Sequence, residues 1–205
     1  MAHTEPGTLE NLVKPQQERT VLSVLSKAGL TLDDVDYLFD EAENGRAGSD
    51  LPLLAVMCSH AIRRAKKLGK DVTGYERRIP REALETYWKT RMEKDLKYTL
   101  EYFDTKDLQR AYEELTSWSD QFVQAEADGM DVTKIKKSLN EEVSKRVVWA
   151  YYEAMKSTDI NFVIKLIDIH ALADINEGLF KVSSGGQAVH NLKQHLKELK
   201  DAPKK

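Results

Sequence analysis

His170 and Asp174 stand four residues apart, and in a helix that spacing brings an imidazole and a carboxylate to one face, with Asp168 close by. Such a pair can act as two metal ligands or as an acid and base working together. A protein-held metal needs three or four ligands, however, and His3, His60, His190 and His195 form no ligand spacing with this pair. A polar stripe on a helix surface, or a buried hydrogen bond between His170 and Asp174, accounts for it better. No catalytic residue, metal site or cofactor is assigned on this basis.

The stronger pattern is electrostatic. Arg63, Arg64, Lys66, Lys67, Lys70, Arg77, Arg78 and Arg81 crowd into residues 63–81, with Tyr75 among them. Positive charge in the last turn of a helix is stabilised by the helix dipole, which covers Arg63 to Lys67. It does not cover Arg77, Arg78 and Arg81, which continue the run past Gly69. These residues, Tyr75 included, form the candidate partner-binding site, and the partner they fit is acidic.

Weaker signals are set aside for stated reasons. Asp40, Asn44 and Gly45 occupy the first, fifth and sixth positions of a calcium loop, but Ala42 and Leu51 remove the ligands at the third and twelfth. Ser183-Ser184-Gly185-Gly186 before a helix could cradle a phosphate through backbone amides, yet the Lys-Ser/Thr ending of a phosphate loop is missing, so a connector is the better reading. Cys58 lies on an apolar helix face with only the offset His60 nearby and reads as a buried structural thiol. No Glu-x-x-His pair and no nucleophile motif is present.

Helices must position the charged run. Low Gly and Pro content, 10 and 5 in 205 residues, and abundant Leu, Ala, Glu and Lys point to an all-α fold built from antiparallel helical hairpins. Gly69-Lys70-Asp71-Val72-Thr73 returns as Gly129-Met130-Asp131-Val132-Thr133, and Ala65 and Ala125 correspond as well. Each copy closes one amphipathic run and opens another. This suggests two degenerate repeats of roughly 60 residues, stacked as a bundle or a short α-solenoid. Only the first joint is wrapped in arginines, so function is expected there.

Apolar periodicity sets the stripes. Val21, Leu22, Leu25 and Ala28 mark a helix opened near Pro15 and closed by Gly29, and Thr31 with Asp34 reads as a capping box for Val35, Leu38, Phe39 and Ala42. Leu54, Met57, Cys58, Ala61, Ala65 and Leu68 form the next face. Pro80 starts a helix striped by Leu84, Trp88, Met92, Leu96, Leu100 and Phe103, and Asp104-Thr105 is expected to cap the one that follows, with Leu108, Ala111, Tyr112, Leu115, Trp118, Phe122 and Ala125. Residues 132–156 form either one helix or two broken near Asn140. Residues 160–175 are apolar on nearly all sides, which means the centre of the fold or a homo-oligomer interface.

The expected organisation is a flexible arm at 1–14, one helical domain at 15–200 and a basic tail at 201–205. Within the domain lie an N-terminal hairpin (15–48), a repeat-like core (49–178) and a C-terminal amphipathic helix (187–200). No apolar run approaches membrane-spanning length, the N-terminus lacks a secretory pattern, and the single cysteine cannot form an internal disulfide, so an intracellular, soluble, cytoplasmic protein is expected.

A net charge of only -3 hides strong segregation. Residues 31–50 carry seven acids and one base, residues 63–94 eleven bases and five acids, and residues 95–131 ten acids and three bases. The reading is a non-catalytic protein-protein interaction or scaffold module whose basic strip meets an acidic protein surface. Nucleic-acid binding through the same strip is the alternative, disfavoured by the negative net charge and the absence of a helix-turn-helix spacing. A helical-bundle enzyme or metal-binding protein built around His170 and Asp174 comes third.

Overall fold

The computed structural model describes residues 31–43, 51–175, 180 and 185–202, and among these every regular element is a helix. In chain order they are α1 (Leu32–Glu43), α2 (Leu51–Lys67), α3 (Thr73–Glu76), α4 (Arg81–Asp104), α5 (Leu108–Ala127), α6 (Thr133–Ala154), α7 (Ile160–Ile175) and α8 (Gly185–Asp201). The arm at 1–14, the helix expected between Pro15 and Gly29, the calcium-like loop after Glu43 and the serines of the Ser/Gly connector lie outside the described residues. Among the described residues no helix is long and apolar enough to cross a membrane. The chain divides into two compact units, Met1–Tyr87 and Trp88–Lys205.

In the first unit, α1 begins with the expected capping box. The Thr31 backbone N–H donates to Asp34 Oδ2 at 2.7 Å, and the Asp34 N–H donates back to Thr31 Oγ1 at 3.3 Å. Two backbone donors at the helix start are thereby satisfied, and α1 turns Val35 and Phe39 onto Met57, Cys58, Ala61 and Ala65 of α2. The chain then reaches the first joint. Gly69 adopts φ 77°, its N–H bonds to the Lys66 carbonyl, and the Lys70 N–H bonds to the Ala65 carbonyl, which closes α2 in a Schellman turn. The Thr73 N–H then donates to Asp71 Oδ1 at 3.1 Å, and Val72 is buried against the core beside it.

The second joint repeats this geometry sixty residues on. Gly129 sits at φ 79°, the Met130 N–H bonds to the Ala125 carbonyl, the Thr133 N–H to Asp131 Oδ1, and Val132 is as buried as Val72. An ion pair spans each corner with its polarity exchanged: Lys66 to Glu76 at 2.8 Å in the first, Glu126 to Lys136 at 2.5 Å in the second. Beyond the corner the two stretches part. The first leads into the single turn of α3, whereas the second leads into α6, which runs unbroken through Asn140. Proline at 80 ends one possibility that Asn140 leaves open.

Neither joint glycine has an atom within 4 Å of where a Cβ would stand, so a substitution there meets backbone strain and nothing else. Gly129→Ala is expected to cost about 1–2 kcal/mol, the penalty of the left-handed region for a residue with a Cβ. Gly129→Asn should cost less, because asparagine tolerates that region better. The shift of the urea midpoint measures both, and an alanine variant as stable as the parent would show that the turn is not held.

In the second unit, α4 departs from its expected stripe in an instructive way. Residues four apart advance 40° past a full turn, so a stripe of Trp88, Met92, Leu96 and Leu100 would swing about 120° round the helix. The face toward α5 instead follows Trp88, Met92, Asp95, Thr99 and Phe103, all buried, while Leu96 and Leu100 are only half-buried. The price of the straight seam is two polar residues inside it, and both are answered. Asp95 Oδ2 accepts from Arg91 Nε and from Gln121 Nε2, each at 2.9 Å, and Thr99 Oγ1 accepts from Trp118 Nε1 at 3.1 Å while donating to the Asp95 carbonyl.

The cap of α5 is Asp107, whose side chain accepts from the Arg110 N–H at 3.2 Å, and not the expected Asp104-Thr105. Asp104 is drawn away by a two-pronged pair with Arg146 of α6 (2.9 and 3.1 Å), and the Thr105 hydroxyl turns back to the Glu101 carbonyl. Of the two places expected for residues 160–175, α7 takes the centre of its unit, packed against α5, α6 and α8 with Val163, Leu166 and Ile169 fully buried.

Candidate partner-binding site

The basic residues of 63–81 separate into two groups once their surroundings are drawn. One group holds the first unit together. Tyr75 donates its hydroxyl to Asp36 Oδ2 at 3.0 Å, and Arg78 reaches Asp36 Oδ1 at 2.8 Å and Asp40 Oδ1 at 3.4 Å while its guanidinium lies 4.6 Å from the centre of the Phe39 ring. Both side chains thus tie the segment after the joint to α1. Lys66 closes the corner with Glu76, and Arg81 pairs with Glu85 one turn on at 3.3 Å.

Asp36 and Asp40 of α1 are therefore answered within the fold, as neighbouring charge blocks commonly are. Arg63 is half-buried and Arg64 exposed, both on α2 and both engaged in interactions of their own.

The other group is free. Lys67, Lys70 and Arg77 are exposed, and among the described residues none has a carboxylate within ion-pair distance. Lys67 and Arg77 adjoin the two ends of the Lys66–Glu76 pair, so the corner that the pair closes brings them to the same end of the unit as Lys70. The local acids do not cancel this charge, since Glu76 is occupied by Lys66 and Asp71 is committed to the turn. The Thr73 backbone N–H, and after it the Thr73 hydroxyl, hold the Asp71 carboxyl below its ordinary value.

Leu68, expected on the buried stripe of α2, stands 69% exposed among these cations. Its counterpart at the second joint is Asp128, which accepts from Trp88 Nε1 at 2.8 Å, so the corner does not itself need an apolar residue there.

The remaining chemical candidates are accounted for by burial. Cys58 is 1% exposed, and loss of solvation pushes its thiol up to about 12 against a smaller opposing effect of Arg78, which leaves no thiolate at neutral pH. His170 is also 1% exposed, but Asp174 is exposed, and the hydrogen bond expected between them is not made. One helical turn sends Asp174 to solvent while His170 points inward. Both ring nitrogens lack a partner among the described residues, and burial lowers the ring's pKa, with Asp174 opposing.

Among the described residues no cluster of three or more His, Cys, Asp or Glu side chains could hold a metal ion. The buried Arg91, Asp95 and Gln121 network was missed in the sequence, where Asp95 is hidden among four apolar neighbours of the stripe; its only trace is the drift of a strict four-residue spacing. No protein-family model, no curated protein and no solved structure matches the chain.

Proposed function

We propose that the chain is a non-catalytic helical interaction module that binds an acidic protein surface through Lys67, Lys70 and Arg77 around the first joint. One observation carries this reading: among the described residues these cations are exposed and have no carboxylate partner, where their neighbours Lys66, Arg78 and Arg81 are each paired within the fold. Exposed charge with no internal partner contributes little to stability, so its concentration on a rigid corner is better explained by an external partner. Nucleic acid is the competing polyanion, since three cations on a corner also suit a phosphate backbone, but so small a cluster neutralises few phosphates.

The test uses the full chain and the triple variant Lys67→Glu, Lys70→Glu, Arg77→Glu, which spares Tyr75 and Arg78 and so leaves the fold intact. The protein is titrated at several salt concentrations against an Asp/Glu-rich peptide, a random duplex and a random single strand. Binding of the peptide, weakened by salt and lost in the variant, is the expected result. Micromolar or tighter binding of either nucleic acid with a steep salt dependence would replace this reading with the nucleic-acid one. Binding of none of the three would end both.

A further inference from the structure

Helix α6 presents an apolar surface that the fold does not use. Val148, Trp149 and Tyr152 are 44, 43 and 61% exposed, and positions three and four apart on a helix are neighbours, so the three form one patch within two turns. The other exposed large apolar side chains among the described residues of the second unit, Tyr98 and Val123, are on other helices. Single exposed apolar residues need no explanation, but neighbouring exposed Trp and Tyr side chains are the types enriched at interface centres.

The charges around the patch are layered. Lys145, one turn before it, has a side chain 69% exposed, Lys156, one turn after it, is exposed, and Lys106 lies 5.3 Å from the centre of the Trp149 ring with 52% of its side chain exposed. The acids that hold Lys145 and Lys106 sit lower. Glu142 and Glu153 have side chains 36 and 34% exposed, and each is already bound, Glu142 by Lys145 and Arg146 and Glu153 by Lys106. An approaching partner therefore meets an apolar centre with an ammonium rim.

That rim also argues against a second copy of this chain. Two α6 helices packed antiparallel on the patch would set Lys145 of each against Lys156 of the other, and like charges facing across an interface are unfavourable.

We propose that this face of α6 docks an amphipathic helix of a partner protein, with apolar side chains over Trp149 and acidic residues on the flanks. Apolar anchors at helical spacing would meet Val148, Trp149 and Tyr152, and flanking carboxylates would meet Lys145 and Lys156. The inference stands apart from the basic corner of the first unit and does not depend on it.

Trp149 supplies its own reporter, because Trp88 and Trp118 are 3 and 0% exposed and only Trp149 is open to a quencher. The full chain is titrated with a peptide of about 18 residues, long enough to sustain a helix, carrying leucine at i, i+3, i+4 and i+7 and glutamate on both flanks. The control has the same leucines with lysine flanks. The expected result is a blue shift of the emission, loss of acrylamide quenching, and binding at or below about 100 μM for the glutamate peptide only.

Val148→Ser and Tyr152→Ser should each weaken it about tenfold or more, as truncation of a central contact does, with the helical circular dichroism unchanged. Lys145→Glu with Lys156→Glu should transfer the preference to the lysine peptide. Absence of shielding, or equal binding of the two peptides, overturns the proposal. So does protection of Trp149 without peptide, whether it grows with protein concentration and marks self-association or stays constant and marks cover by the chain itself.

Discussion

Asp95→Ala is expected to lower the stability of the second unit by about 3–5 kcal/mol, the usual cost of removing one partner from a buried ion pair. The carboxylate is 3% exposed as a residue and answers an Arg91 side chain of which only 12% reaches solvent. It also receives Gln121 Nε2 from the facing helix, so its loss leaves a buried cation and a buried amide with one acceptor fewer. Gln121 can ill spare it, since its own Oε1 is already buried without a partner among the described residues.

Asp95→Asn, which keeps an oxygen acceptor but not the charge, should cost less, about 1–3 kcal/mol. The double change Asp95→Leu with Arg91→Met should return most of the loss, because an apolar pair of similar size removes the desolvation problem together with the charges. Urea unfolding at neutral pH separates the three. A single alanine variant within 1 kcal/mol of the parent would mean that water reaches the pair, since exposed pairs contribute about 0–1 kcal/mol.

The same residue shows what a sequence can and cannot reveal. Apolar periodicity finds the helices because burial dominates folding, and the buried stripe of α5 is almost entirely the one read from the sequence: Ala111, Leu115, Trp118 and Ala125 are fully buried. On α4 the rule fails at Asp95 and Thr99. Straight packing against α5 needs those positions, and partners from α5 make them tolerable, which no local pattern records. Asp104 fails as a cap for a related reason, since Arg146 lies 42 residues away and outcompetes the local turn.

The basic strip illustrates the complementary limit. Spacing places eight cations together, but only tertiary contacts divide Arg78, committed to Asp36 and Asp40, from Lys67, Lys70 and Arg77, which have no ion-pair partner among the described residues. The joints were legible because their cause is local. A glycine at positive φ, an Asx turn and a buried valine are written within five residues each, although the corner-spanning ion pair with its exchanged polarity reaches across ten.

His170 tests the opposite consequence of burial. A ring 1% exposed with both nitrogens unpartnered among the described residues is held neutral by loss of solvation, and Asp174, exposed one turn away, opposes this. Its folded-state pKa is therefore below the ordinary 6.5, and the unfolded chain binds the proton more readily. Stability is then complete above about pH 6.5 and is lost as the pH falls from there through the folded-state pKa.

The acids of the joints and of the α6 surface, Asp71, Asp131, Glu142 and Glu153, are held below their ordinary values and lose their contributions at more acidic pH. The first loss on acidification is accordingly assigned to His170, and the difference from a variant removes the background of the other histidines. His170→Leu, close in volume and without polar atoms, should raise stability at pH 7 by about 1–3 kcal/mol, the cost of one unsatisfied buried polar group, and flatten the profile between pH 7 and 5.

Urea midpoints measured at several pH values for parent and variant decide it. A parallel pair of profiles would show that the ring finds a proton acceptor on acidification. A less stable leucine variant would show that its nitrogens are answered in solution by ordered water, and that the centre of α7 is wetter than its apolar neighbours imply.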